Sequence, residues 1–510
     1  MLVTAHTTAL VGMQAQPIRV EVEAFRGLPK FELVGLPELS VRESYVRVRS
    51  ALFQIGLNIG QQHLVVNLAP ADVRKYGSAF DLAIASAALA ATGRVRADAL
   101  QDTVLLGELS LDGAVRPVRG VLPQLLAARQ HGIRQAIVPA GNGEEAGAVE
   151  GLDVLVANSL QDVWDYLRGT TTLSSPEQVP FAPSFDDQLD LLDVKGQPAA
   201  RRALEIAAAG GHHLLMIGPP GGGKTMLARR IASILPPLTY SEALETTAIH
   251  SVAGMLPGDS GLMTKRPFRA PHHTVSDAGL VGGGSPPRPG EVSLAHLGVL
   301  FLDELAEFRR SAIEALRQPL EDGVLTISRA KERATYPASP LLVGAINPCP
   351  CGFAGDAGGR CQCGEHRIRT YRARLSGPLL DRIDLHVHVP PVDVCSLQGK
   401  PCGESSETVR TRVVAARKVQ TDRVHSGQVR SRTNAKLSTR ELDEVAIPDA
   451  SGIRLLVTAI EKLGLSARAY GKILRVARTI ADLDGSADVR SVHVAEAIRG
   501  RVLDRGFISG

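Results

Sequence analysis

A chain of 510 residues, 44% hydrophobic but only 4% aromatic, is too long for one core and reads as two to four Ala/Leu/Val-rich domains. Its net charge of +4 permits a nucleic-acid partner without demanding one, and six cysteines at this length are no disulfide framework. No basic segment followed by an apolar core opens the chain, and its longest apolar stretch, Phe80 to Gly93, is short and carries Asp81, which argues against a membrane partner and for a cytoplasmic protein.

Residues 1–170 alternate strand-like and helix-like segments. Ile18–Phe25 and His63–Leu68 read as strands, and Ser40–Ile55 as an amphipathic helix. Residues 171–190 are Thr/Ser/Pro-rich and acidic, as a linker is. An α/β unit follows over 191–403, with a Gly/Pro/His-rich insertion at 252–290, and helical patterning fills 404–510.

Within the α/β unit, the apolar run Leu214–Ile217 leads into Gly218-Pro219-Pro220-Gly221-Gly222-Gly223-Lys224-Thr225, and Met226–Ile234 reads as a helix. This is the strand–loop–helix context of a P-loop. Its glycines let backbone N–H groups close on phosphate, and the helix adds its positive end. Lys224 is placed to reach the β/γ-phosphates, and Thr225 to hold Mg²⁺. Further on, the buried-strand pattern Val299–Leu302 ends in Asp303 and Glu304. After a P-loop, the first acid completes Mg²⁺ coordination and the second polarises the attacking water. Leu341–Ile346 is another such strand and ends in Asn347, whose amide can sit between nucleotide and water. The expected chemistry is hydrolysis of a nucleoside triphosphate.

Between those strands, Leu325–Ser328 and Ala334–Tyr336 flank Arg329-Ala330-Lys331-Glu332-Arg333, a hairpin with a basic tip. Arg329, Lys331 and Arg333 suit sequence-blind phosphate contacts with DNA. Directly after Asn347, Cys349-Pro350-Cys351 and Cys361-Gln362-Cys363 bracket a Gly-rich stretch. Four thiolates in two close pairs can form a tetrahedral Zn²⁺ site, although C-x-C is less common than C-x₂-C. Cys395 and Cys402 stand apart from it. His272-His273, in the insertion with Arg266 and Arg269, is a poor metal candidate on its own. The basic run from Arg410 through Arg412, Arg417, Lys418, Arg423, Arg430 and Arg432 to Lys436 reads as a solvated helix face.

The chain resembles the YifB/ComM family of magnesium-chelatase-like AAA+ ATPases over nearly its whole length. The likeness rests on Gly35-Leu36-Pro37, Val66-Asn67-Leu68-Ala69-Pro70, Gly77-Ser78-Ala79-Phe80-Asp81-Leu82 and Arg266-Pro267-Phe268-Arg269-Ala270-Pro271-His272-His273. It continues through Asn347-Pro348-Cys349-Pro350-Cys351-Gly352, Leu379-Leu380-Asp381-Arg382-Ile383-Asp384 and Leu465-Ser466-Ala467-Arg468. The resemblance implies an α/β fold: a Lon-protease-like α+β domain, a central AAA+ P-loop domain and a C-terminal helical lid. It implies ATP as the nucleotide, Asn347 as sensor 1, Arg382 as an arginine finger acting on the neighbouring subunit's γ-phosphate, and Arg468 as sensor 2. It also implies a homo-hexamer with the hairpin in its pore, working as a DNA translocase or branch-migration helicase in natural transformation or recombination. Two other readings are a chelatase-type motor on a protein partner and a Lon-like ATP-dependent protease or unfoldase. A Lon-like protease needs a Ser–Lys dyad. The serine position falls near Ser78, but the lysine position falls in Arg119-Gly120-Val121-Leu122, so proteolysis is not expected unless Lys75 serves as base.

Overall fold

The computed structural model describes residues 1–28, 30–57, 62–177, 180–185, 189–256, 261–329, 332–355, 358–392, 403–463 and 466–501. Lys331, Cys395, Cys402 and Leu465 lie outside these residues, as does the side chain of Arg329.

The N-terminal part is built on a seven-stranded mixed sheet. Its strands are β1 (Leu2–Val11), β2 (Gln14–Arg26), β3 (Lys30–Val34), β4 (Gln62–Ala69), β5 (Thr103–Leu105), β6 (Gln135–Pro139) and β7 (Asp153–Ala157), in the order β3-β4-β2-β1-β5-β6-β7. Strand alternation fixes which face is core: Ile18, Val20 and Val22 of β2 are fully buried between more exposed Arg19, Glu21 and Glu23. The apolar stretch noted in the sequence becomes helix α1 (Asp81–Ala91), buried at every position and packed on β1 and β2. A helix apolar all round is a core helix when its length is this short.

The helix expected over Ser40–Ile55 is two helices, Leu39–Arg42 and Ser44–Gln54, broken at Glu43. In an unbroken helix the Ser40 carbonyl would accept from the Ser44 N–H. Instead it accepts from the Arg47 guanidinium at 3.2 Å. Arg47 is itself drawn inward by the buried Asp81 carboxylate, at 2.5 and 3.0 Å. A side chain entering the ladder is an ordinary cause of such a break.

The central sheet is wholly parallel, with β8 (Leu214–Ile217), β9 (Phe268–Arg269), β10 (Val299–Leu302), β13 (Leu341–Ile346) and β14 (Leu385–His388) in the order β9-β10-β13-β8-β14. β8, β10 and β13 are buried on both faces, which is why they read as unbroken apolar runs rather than alternations. Helices α2 (Pro198–Gly210) and α3 (Lys224–Ile234) cover one side and share a hydrophobic core with α5 (Ser406–His425) and α6 (Ala467–Leu483) of the C-terminal helical part. The antiparallel hairpin β11 (Val324–Arg329) and β12 (Glu332–Pro337) stands beside the sheet.

The N-terminal part docks on helix α4 (Tyr240–Ala253): Tyr240 donates to the Ala148 carbonyl and Ser251 to the buried Glu145 carboxylate, each at 2.6 Å. The basic run is solvated only in part: Lys418, Arg430 and Arg432 are exposed, but four arginines of α5 turn inward. Arg412 pairs with Glu205 of α2 at 2.6 Å, Arg417 donates to the Ala208 carbonyl, Arg410 to the Ser233 carbonyl, and Arg423 pairs with Asp482 of α6. These arginines fasten α5 to its neighbours, using carbonyls and acids on helices far away in sequence.

Candidate nucleotide site

Parallel pairing brings the ends of three strands to one edge. Leu302 of β10 lies opposite Gly344 of β13, and Ile217 of β8 opposite Ile346. Asp303, Glu304, Asn347 and Gly218 therefore emerge together at the carboxyl ends, where open parallel sheets place their ligands. A Cβ on Gly218 would lie 2.0 Å from the Val389 carbonyl oxygen, so only glycine lets the chain leave β8 here. Gly221 and Gly223 hold φ of +77° and +88°, and α3 begins directly at Lys224.

The Lys224 ammonium donates to the Gly218 and Pro219 carbonyls at 2.6 and 2.8 Å and to Asn347 Oδ1 at 3.1 Å. It is buried, and desolvation pulls its pKa below the ordinary lysine value against the opposing pull of Asp303 and Glu304. All three acceptors are neutral, so an anionic phosphate in the loop fits this ammonium. Thr225 Oγ1 donates to Asp303 Oδ2 at 2.7 Å, pairing the two oxygens expected around Mg²⁺. The Glu304 N–H donates to Asp303 Oδ1 at 2.9 Å. Glu304 has φ of +50°, unusual for a residue with a Cβ, and this turns its half-exposed carboxylate toward His273 Nδ1 at 3.5 Å.

Arg382 and Arg468 belong to a different face. Arg382 donates to the Arg317 and Pro378 carbonyls at 3.1 and 2.9 Å and pairs with Glu321. Arg468 is exposed and lies 3.4 Å from Asp381, the residue beside Arg382. Both arginines line a cleft of about 1080 Å³ between the sheet and the C-terminal helices, and no residue of Gly218–Thr225 lines it.

Beneath them lies a buried network that motif reading does not find. Lys472, one turn after Arg468 on α6, holds Asp384 Oδ1 at 3.2 Å and donates to the Ile383 carbonyl at 3.1 Å. His212 bridges Asp384 at 3.4 Å and Thr479 at 2.8 Å. Desolvation alone would raise the Asp384 pKa, but Lys472 and His212 outweigh it and hold the carboxyl well below the usual range. Asp384 stood within a motif noted in the sequence, but its partners are distant there. Asp384→Ala should cost about 3–5 kcal/mol in denaturant unfolding by leaving the Lys472 ammonium buried without its counter-charge, and adding Lys472→Met should recover most of the loss. A double variant no more stable than Asp384→Ala would refute this coupling.

The hairpin root is apolar, with Leu325, Ile327, Ala334 and Tyr336 buried, while Arg333 near the tip is exposed. Arg266 and Arg269 of the insertion are taken up by partners within the fold. Arg266 donates to the Pro236 and Leu297 carbonyls and pairs with Glu242, and Arg269 forms a two-pronged pair with Glu291. Cys349, Cys351, Cys361 and Cys363 gather with all sulfurs within 4.8 Å and no disulfide, a cluster able to bind metal. Among the described residues His272 and His273 belong to no cluster of three candidate ligand atoms close enough to share a metal. In the N-terminal part, Ser78 donates to Glu108 and the buried Lys75 donates to the Gly35 and Pro70 carbonyls, so neither is bonded to the other as a nucleophile–base pair needs.

A parallel sheet with a P-loop and two acids at its carboxyl edge, capped by a helical lid carrying arginines, defines a P-loop ATPase fold of the AAA+ kind. The family model described as magnesium chelatase, subunit ChlI, matches residues 190–397. Models for subunit ChlI of Mg-chelatase and for the ChlI C-terminal part match 20–142 and 403–501. The chain is 44% identical over 505 residues to the YifB protein of Escherichia coli, covering 99% of this chain and 97% of that one. It is 43% identical over 511 residues to the competence protein ComM of Haemophilus influenzae, covering 99% and 98%. Over 164 residues it is 26% identical to Lon protease 2 of Bacillus subtilis, covering 30% of this chain and 28% of that one. The chain belongs to the YifB/ComM family of magnesium-chelatase-like AAA+ ATPases.

Proposed function

We propose that the protein is an ATP-hydrolysing ring motor, a cytoplasmic homo-hexamer that moves along single-stranded or branched DNA and drives branch migration in recombination or natural transformation. The observation that carries the hydrolysis reading is the split of the site. Lys224, Thr225, Asp303, Glu304 and Asn347 meet at one edge, whereas Arg382 and Arg468 line another face. A site divided this way is completed by the neighbouring subunit's arginines.

In this reading Gly218–Gly223 and Lys224 bind the phosphates. Thr225 and Asp303 hold Mg²⁺, which when bound neutralises charge on the phosphate oxygens. Glu304 takes a proton from the attacking water, and Asn347 orients that water. Arg382 and Arg468, from the next subunit, stabilise charge on the transferring phosphoryl group. The four cysteines hold one structural zinc ion.

DNA as the track is supported by the exposed Arg333 at the end of the hairpin, by the basic sequence Arg329–Arg333, and by the printed name of the Haemophilus influenzae relative, a competence protein. Three basic residues there, Arg329, Lys331 and Arg333, suit backbone phosphates and give salt-sensitive binding. The test is ATP turnover with single-stranded DNA, forked DNA, an unfolded protein or no effector. DNA should raise turnover several-fold, and the Arg333→Ala, Arg329→Ala double variant should lose that rise while keeping basal turnover. Stimulation by unfolded protein alone would replace DNA with a protein partner.

A further inference from the structure

The cysteine cluster is joined to the nucleotide site on two sides. In sequence, Cys349 follows Asn347 after one proline, at the end of β13. In space, Gly352 has φ of +85°, and a Cβ there would fall 2.4 Å from Pro220 Cδ, so the loop lies directly on the P-loop. The near arm is folded tightly: the Gly352 N–H donates to the Cys349 carbonyl at 2.9 Å, and the Ala354 N–H to Cys349 Sγ at 3.2 Å. The far arm reaches back through Cys361, 3.8 Å from Cys349 and 3.7 Å from Cys351, sulfur to sulfur. Bonds of about 2.3 Å from a tetrahedral Zn²⁺ to thiolates place those sulfurs about 3.8 Å apart. A disulfide would need about 2.05 Å.

A metal in this cluster would tie the two arms together while one of them carries Asn347 and presses on Pro220. Both of those residues touch the phosphate end of the site: Asn347 accepts from Lys224, and Pro220 lies in the loop itself. We propose that zinc at Cys349, Cys351, Cys361 and Cys363 braces the P-loop and Asn347, so that metal occupancy sets ATP affinity in the same subunit. Removing the ion frees the near arm from the far one, and the Lys224–Asn347 contact and the Pro220 wall lose their common support. The site then grips phosphate less well although no nucleotide-binding residue has changed. The brace rests on the zinc assignment above, and the experiment separates the two.

Zinc content is measured on purified full-length protein. The metal is then stripped with a chelator, the chelator removed, and Mg²⁺ restored. The affinity for a fluorescent ATP analogue is compared before stripping, after it, and after adding Zn²⁺ back. The expected result is about one zinc per chain, roughly tenfold weaker nucleotide binding after stripping, and recovery with Zn²⁺ but not with more Mg²⁺. Gly352→Ala should weaken nucleotide binding comparably while retaining its zinc, because it displaces Pro220 without touching a thiol. Protein that binds no zinc would remove both the assignment and the brace. Zinc that can be stripped with nucleotide affinity unchanged would leave the assignment standing and overturn the brace.

Discussion

Glu304→Gln should bind ATP as tightly as the parent chain and turn it over roughly 10²–10⁴-fold more slowly, the contribution typical of a positioned general base. Glutamine keeps the size and the φ of +50° at this turn, and the backbone N–H that donates to Asp303 is untouched. It lacks only a carboxylate able to take a proton. Lys224→Ala should behave in the opposite way. Its ammonium fastens Gly218, Pro219 and Asn347, so removal takes away both the proposed phosphate contact and the tie between the loop and Asn347. Binding should then be lost before turnover is reached. Nucleotide affinity and phosphate release, measured on both variants, separate the roles. A Glu304→Gln chain that hydrolyses at the parent rate would move the base elsewhere, and His273, 3.5 Å away, would be the first residue to examine.

What could be read from the sequence was what sits close together in it or follows from a buried parallel strand. The P-loop is contiguous, and its glycines are required by a carbonyl contact and by positive φ. Asp303 and Asn347 are each one step beyond an apolar run, and in a parallel sheet such ends share an edge. Other features depend on partners the pattern does not name. The charges of α5 look solvated by spacing, yet Glu205, Ala208 and Asp482 turn Arg412, Arg417 and Arg423 inward. The break at Glu43 follows from Asp81, far along the chain, pulling Arg47 across the helix start. The Asp384–Lys472 pair joins a strand start to a helix of the C-terminal part, and no local spacing announces it.

Arg382→Ala should lower ATP turnover roughly 10³–10⁵-fold with little change in nucleotide binding, as loss of an arginine finger does. Its present partners, Glu321 and the Arg317 and Pro378 carbonyls, hold the side chain outside its own nucleotide loop. The trans reading therefore predicts complementation. Lys224→Ala and Arg382→Ala chains, each inactive alone, should regain activity when mixed before assembly. At equal amounts about a quarter of interfaces combine an intact loop with an intact finger. The position of Arg468 adds a sharper test. It lies against Asp381, next to Arg382, and the Asp384–Lys472 pair ties the segment that carries Arg382 to the helix that carries Arg468. If both are donated by the same subunit, mixing Arg382→Ala with Arg468→Ala chains gives no interface carrying the pair, and turnover stays low. If Arg468 instead serves the loop of its own subunit, that same mixture restores turnover, and the two arginines must then be assigned to opposite sides of the interface.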